Sequence, residues 1–158
     1  MPKLYLSLGS NEGDREQLLQ SAIDAIGLLI GPVDGISPFV ETEPWGFESP
    51  HPFVNVALSV ETSLPAMDVL ERTQSIERQL GRRRKSIAGR YEDRPIDIDL
   101  LLYGDLVLTS ERLTLPHPLL PERLFVLEPL AEIAPQILHP TLGKTIQTLR
   151  DELRLRLS

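Results

Sequence analysis

Leu4, Leu6 and Leu8 alternate with Tyr5, Ser7 and Gly9, a period of two that predicts a first strand ending in the turn Gly9-Ser10-Asn11. The period then lengthens. Leu18, Leu19, Ala22, Ile23, Ile26, Leu29 and Ile30 recur at helical spacing, with Asp14 placed to cap the helix, Gln17 as its capping-box partner and Gly31-Pro32 as the stop. A second strand is predicted over Ile36–Thr42. The next segment, Glu43–Pro52, holds three prolines and a glycine, which predicts irregular structure. Val54, Val56, Leu58 and Val60 alternate with Phe53, Asn55, Ala57 and Ser59 as a third strand. Pro65 suits the first turn of a second helix, whose apolar face is Val69, Leu70, Thr73, Ile76 and Leu80, with Gly81 as C-terminal cap. Ile96–Tyr103 is the clearest strand, and Gly104-Asp105 predicts a hairpin turn into Leu106–Thr109. Short helices are expected near Glu122–Leu130 and Lys144–Leu157. Strand, helix, strand, strand, helix, strand is the order of an α+β, ferredoxin-like βαββαβ core with a mainly antiparallel sheet, here followed by a C-terminal extension.

The 158 residues suit one domain, 1–158, and 41% apolar with 25% charged residues is a globular balance. Absence of cysteine excludes disulfides, thiolate metal sites and a cysteine nucleophile. Three dispersed histidines, His51, His117 and His139, disfavour a histidine-rich metal centre, so any metal would be a hard cation such as magnesium on carboxylate oxygens. MPKLYLSLGSN lacks the basic-then-apolar order of a signal peptide, and no apolar run reaches membrane-spanning length, so a cytoplasmic location is expected. The net charge of -7 argues against nucleic-acid binding. One segment departs from it: Arg82, Arg83, Arg84, Lys85, Arg90 and Arg94 face only Glu92 and Asp93, which suggests a confined anion site.

Asp97-Ile98-Asp99 is the sharpest chemical signal. Side chains two apart on a strand share a face, so both carboxylates point the same way with α-carbons roughly 7 Å apart, while Ile96, Ile98, Leu100 and Leu102 take the other face. The pair reads either as solvated aspartates at a strand end or as a site for two hard cations that clamp a phosphoryl group, and the adjoining arginines favour the second reading. Arg82, Arg84 and Arg94 suit phosphate oxygens through planar guanidinium groups, or form an exposed basic loop after a helix C-terminus. No Walker sequence or Gly-x-Gly-x-x-Gly is present, so a bound ATP would be held by arginines and metal. Gln74 and Glu77, one helical turn apart, read as a surface pair or a nucleotide contact. Phe53 and Asn55 suit a flat heterocycle with hydrogen-bonding edges, although alone they read more simply as a core phenylalanine beside a satisfied asparagine. Trp45 either closes over a ligand or plugs the core.

These residues resemble the 6-hydroxymethyl-7,8-dihydropterin pyrophosphokinase family of folate biosynthesis. The resemblance spans nearly the whole chain, through LYLSLGSN (Leu4–Asn11), TEPWG (Thr42–Gly46), FVN (Phe53–Asn55), QSIERQLGRRR (Gln74–Arg84), RPIDIDLLLYG (Arg94–Gly104), LTLPHP (Leu113–Pro118) and ERLFVLEPLAEIAP (Glu122–Pro135). The resemblance implies transfer of pyrophosphate from ATP to the pterin hydroxymethyl group with release of AMP. By it, Asp97 and Asp99 hold two magnesium ions, Thr42, Pro44, Trp45, Phe53, Asn55 and Phe125 form the pterin pocket, and Phe53 and Phe125 sandwich the ring. Gln74, Glu77, Arg84, Arg94, Leu100, Arg112, Thr114, His117 and Arg123 match ATP-side positions, and Arg82 and Tyr91 match positions that close over the reactants. The chain has Glu92-Asp93-Arg94 where the family often has Gly-Pro-Arg, Tyr91 where tryptophan occurs and Phe53 where tyrosine occurs.

The implied chemistry is attack of the alcohol oxygen on the β-phosphorus. The proton goes to Asp99, or the metal lowers the alcohol's pKa enough to need no dedicated base. A nucleotidyl transferase on a similar sheet, which would release pyrophosphate, and a silent ligand-binding module are the rivals. A monomer acting on small molecules is expected. The Thr42–Pro52 and Arg82–Tyr91 segments are expected to order when both substrates bind.

Overall fold

The computed structural model describes residues 2–42, 52–81 and 95–158. The elements run β1 (Lys3–Ser10), α1 (Arg15–Leu29), β2 (Val33–Ile36), β3 (Val40–Thr42), β4 (Phe53–Glu61), α2 (Ala66–Gln79), β5 (Asp97–Tyr103), β6 (Leu108–Thr109) and β7 (Thr114–Leu115). A 3-10 turn at Leu120–Glu122 then leads into α3 (Leu124–Ile133) and α4 (Ile146–Leu157). The main sheet has the order β2-β4-β1-β5, with β3 also on β4, and each of these pairings is antiparallel. This is the expected α+β, ferredoxin-like arrangement. Among the described residues no helix is long and apolar enough to cross a membrane.

The alternation in β1 and β4 divides two apolar layers. Leu4, Leu6, Leu8, Val54, Val56, Leu58 and Val60 pack with Leu19, Ala22, Ile23 and Ile26 of α1 and Val69, Leu70 and Ile76 of α2. On the other face, Tyr5 and Ala57 pack with Val126, Leu127 and Leu130 of α3 and Leu149 and Leu153 of α4. The caps follow the sequence in part. The Asp14 carboxylate accepts from the Gln17 backbone N–H at 3.2 Å, but the Gln17 amide donates to Ser21 and does not return to close a capping box. Gly81 ends the second helical segment at φ 109°, a conformation that favours glycine.

Three expectations need correction. The predicted strand Ile36–Thr42 is two strands, because Pro38 has no N–H for the ladder. Ser37 bridges the gap: its N–H donates to the Ala57 carbonyl at 2.9 Å and its Oγ accepts from the Ala57 N–H at 2.8 Å. The Gly104-Asp105 turn forms, but the strand after it, β6, pairs with β7 and not back with β5. Leu102 does not share a face with Ile96, Ile98 and Leu100. Tyr5 opposes Leu102 while Leu6 opposes Leu100, so Leu101 is an extra residue in a bulge. Beyond the bulge the strand's sidedness changes, and both Leu101 and Leu102 join the α3–α4 layer.

Candidate active site

The layer formed by α3 and α4 covers only part of the second sheet face. The remainder, at the other end of the strands, carries polar residues, and the strand register shows which of them meet. Thr42 opposes Phe53 and Val40 opposes Asn55 on β3 and β4. Gly9 lies opposite Asn55 on one side and Asp97 on the other, and Ser7 lies opposite Ala57 and Asp99. Directly opposite residues share a face. Thr42, Phe53, Asn55, Gly9, Ser7, Asp97 and Asp99 therefore form one surface crossing four strands. At about 5 Å per strand step, the α-carbons of Asn55 and Asp97 stand roughly 10 Å apart, with Gly9 between them.

At the β3–β4 end, Asn55 is buried, and its Nδ2 donates to Thr42 Oγ1 at 2.6 Å. Phe53 is buried beside it. At the β5 end, Asp97 and Asp99 are both partly exposed, while Ile98 between them is buried in the α1–α2 layer. That sidedness agrees with the expectation from the Asp-x-Asp spacing. Arg123, the residue preceding α3, is 6% exposed and places Nη1 3.8 Å from Asp99 Oδ2. The same guanidinium lies 5.4 Å from the centroid of the Phe125 ring. One buried cation thus lies beside both the Asp99 carboxylate and the Phe125 ring.

His117 is fixed from both ends. Its N–H donates to the Leu101 carbonyl at 2.9 Å, and its Nδ1 accepts from the Leu119 N–H at 3.1 Å. Burial, reinforced by the Arg123 charge and only partly opposed by Asp97, lowers its pKa to about 4. At neutral pH the ring is uncharged, and with Nδ1 accepting from the Leu119 N–H its proton lies on Nε2, which makes it a hydrogen-bond donor there.

The other ATP-side positions divide. Gln74 is half-buried on α2 and Thr114 half-buried on β7. Arg112 is exposed, 3.5 Å from Glu71. The Leu100 side chain lies in the α1–α2 core, on β5 at the edge of the sheet. Glu77 is not half of a surface pair: it is 5% exposed, and its Oε2 accepts from the Ile98 backbone N–H at 2.8 Å, tying α2 to the strand that carries the aspartates. Pro44, Trp45, Arg82, Arg84, Tyr91 and Arg94 lie outside the described residues, as does most of the two segments expected to order with substrates.

Two residues at the site were not singled out in the sequence. Gly9 lies in the centre of the face, and here the expected turn Gly9-Ser10-Asn11 is corrected: β1 runs to Ser10, with Gly9 still in the ladder opposite Asn55 on one side and Asp97 on the other. Arg15 donates from Nη1 to the Pro52 carbonyl at 2.7 Å and sits 3.8 Å from Glu41, so it holds positions on both β3 and the approach to β4. No local pattern announces that contact.

The donor set suits magnesium. Among the described residues no three or more His, Asp or Glu side chains gather as a ready metal cage. Two carboxylates with their remaining ligands drawn from phosphate oxygens and water are the usual arrangement for this ion.

A sequence model of the family 7,8-dihydro-6-hydroxymethylpterin-pyrophosphokinase (HPPK) matches residues 5–135. The chain is 50% identical over 141 residues to a 2-amino-4-hydroxy-6-hydroxymethyldihydropteridine pyrophosphokinase of Porphyromonas gingivalis, covering 89% of this chain and 95% of that one. It is 36% identical over 156 residues to the enzyme of the same name from Aquifex aeolicus, covering 99% and 95%. The fold is similar to that of wild-type Plasmodium falciparum HPPK-DHPS, with TM-score 0.80 at 16% identity, covering 99% of this chain and 45% of that longer one. Together with the register that gathers Asn55, Asp97 and Asp99 on one sheet face, these matches show that the chain belongs to the 7,8-dihydro-6-hydroxymethylpterin-pyrophosphokinase family.

Proposed function

We propose that residues 1–158 form a single cytoplasmic pyrophosphokinase domain that transfers pyrophosphate from ATP to the hydroxymethyl group of 6-hydroxymethyl-7,8-dihydropterin, releasing AMP, and that the transfer takes place on the polar half of the sheet face. The observation that carries this is the register: Asn55, Gly9 and Asp97 lie in one row, so a pterin held at Asn55 directs its hydroxymethyl arm along the face toward the carboxylates.

Asn55 bonds the pterin edge, and Thr42 fixes the orientation of its amide. Phe53 and Phe125 stack on the two sides of the ring, with Pro44 and Trp45 completing the pocket. Asp97 and Asp99 hold two magnesium ions, which when bound neutralise charge on the transferring group. Arg82, Arg84, Arg94 and Arg112 supply guanidinium groups to the polyphosphate, with Gln74, Thr114, Tyr91 and the Leu100 backbone on the nucleotide side. Arg123 orients Asp99 from beneath while backing Phe125. Neutral His117 donates its Nε2–H to a phosphate oxygen. Glu77 acts from behind the strand, by holding Ile98 and with it the two flanking carboxylates. Attack of the alcohol oxygen at the β-phosphorus forms the new P–O bond as the bond to the AMP oxygen breaks. Positioning and electrostatics carry the catalysis, with no covalent enzyme intermediate.

Product analysis tests the reaction. Protein, magnesium, ATP and the hydroxymethyl dihydropterin should yield AMP and pterin pyrophosphate in equal amounts. ADP or inorganic pyrophosphate as the main product would refute the assignment.

A further inference from the structure

Gly9 lacks a side chain at the middle of the reacting face, and its backbone does not explain why. Among the described residues the glycines with positive φ are Gly13, Gly81, Gly104 and Gly143, so Gly9 is not kept for left-handed geometry. A glycine inside a strand costs roughly 0.5–1 kcal/mol relative to alanine through chain entropy. The reason lies in the space above it. A methyl group built on Gly9 would stand 2.9 Å from Asn55 Oδ1 and 3.3 Å from Phe53 Cδ1, the first closer than such carbons are found in proteins.

Neither neighbour yields readily. Asn55 is 3% exposed and its amide is tied through Nδ2 to Thr42, so turning Oδ1 away breaks that hydrogen bond. Phe53 is itself buried. Relief would therefore displace the two side chains assigned to the edge and face of the pterin. The three atoms nearest the added methyl all belong to Asn55 and Phe53, at 2.9, 3.3 and 3.8 Å, so no atom of the carboxylates stands as close as these.

We propose that Gly9 is a positioning residue that sets pterin recognition: its missing side chain keeps Asn55 and Phe53 aligned and leaves the floor over which the substrate reaches from Asn55 toward Asp97. The inference rests on the pterin pocket proposed above.

Calorimetry tests it with 6-hydroxymethyl-7,8-dihydropterin and, separately, with magnesium and a non-hydrolysable ATP analogue. Gly9→Ala should weaken pterin binding at least about tenfold and ATP-analogue binding less than about twofold. Equal loss for both ligands, or no loss for the pterin, would overturn the proposal. The double variant Gly9→Ala/Asn55→Ala removes the oxygen that the methyl meets and covers the case in which the single variant folds poorly. It should fold and bind pterin about as well as Asn55→Ala alone, the non-additivity of residues in contact. A double variant weaker than Asn55→Ala by the full factor of Gly9→Ala would show that Gly9 does not act through the amide, and would also overturn the proposal. Asn55→Ala itself separates the two readings. If it leaves pterin affinity unchanged, the pocket assignment fails and Gly9 with it. If it weakens the pterin while Gly9→Ala does not, only the role of Gly9 fails.

Discussion

Glu77→Ala should loosen the strand that carries Asp97 and Asp99 without touching either carboxylate. The Glu77 carboxylate accepts the Ile98 N–H at 2.8 Å in a buried contact between α2 and β5. Truncation leaves that N–H without this acceptor, a cost of about 1–3 kcal/mol. For a domain of this size that lowers the melting temperature by roughly 2–4 °C per kcal/mol and leaves most of the protein folded. Ile98 lies between the two aspartates, so its displacement moves both. Small shifts of catalytic groups cost roughly ten- to a hundredfold in rate. Glu77→Gln keeps a carbonyl oxygen for the same bond but loses the charge assistance, so its penalty should be about half as large or less. Urea unfolding and AMP release, measured on both variants, check the order wild type, Gln, Ala in both properties. An unchanged urea midpoint for Glu77→Ala, combined with a large loss of ATP affinity, would refute the scaffold role and make Glu77 a direct nucleotide contact.

Asn55→Ala should weaken the pterin far more than ATP, since it leaves polar ligand atoms unpaired at a cost of about 1–3 kcal/mol; calorimetry with each ligand checks this. Arg123→Met should lower turnover and pterin affinity together, because the guanidinium contacts both Asp99 and Phe125; steady-state kinetics with each substrate varied in turn would show an effect on one substrate alone if that bridging is wrong. The pH dependence of stability should carry a histidine contribution of one sign. Burial lowers the pKa of His139, whose Nδ1 accepts from the Thr141 and Leu142 N–H groups, and His117 is lowered to about 4. Both bind protons more weakly folded than unfolded. Their contribution is complete above the unfolded value of about 6.5 and is lost as pH falls toward the folded values. Urea midpoints from pH 7.5 to 4.5 should decline less steeply in His139→Asn than in wild type, and an identical slope would contradict this.

The legible parts of the fold were those with one apolar face. Leu4, Leu6 and Leu8, and every second residue from Val54 to Val60, form an unbroken aliphatic row on one side of their strands, while the other side is buried too but mixes Tyr, Ser, Gly, Phe, Asn and Ala, so their sidedness and that of Asn55 and Asp97 followed. Leu100-Leu101-Leu102 is apolar on both sides, and such a run contains no sign of which residue bulges. Pro38 breaks the predicted strand Ile36–Thr42, a signal the strand prediction passes over, and Val40 to Thr42 beyond it still pair with β4, so one predicted strand became two. The Gly104-Asp105 turn was visible, whereas the partner of β6 depends on Thr114 and Leu115 arriving from the far side of the turn. Within the site, the paired aspartates and the family motifs were readable. The contacts that position them were not. Arg123 with Asp99, Glu77 with Ile98 and Arg15 with Pro52 join segments more than twenty residues apart, and only the packed chain brings them together.

The central claim is that Asp97 and Asp99 act as a pair on the reacting group and contribute little to the fold. Both project from the partly exposed face of β5, opposite the packed side chains of Ile98 and Leu100, so their removal opens no large core cavity. Parallel melting curves and AMP-release assays at saturating magnesium on Asp97→Ala and Asp99→Ala test this directly. The account predicts that turnover is nearly abolished in both variants while each keeps a cooperative melting transition, within a few degrees of wild type for Asp97→Ala and lower for Asp99→Ala, which removes the carboxylate 3.8 Å from the buried Arg123 guanidinium. Near-normal turnover in either variant would contradict it.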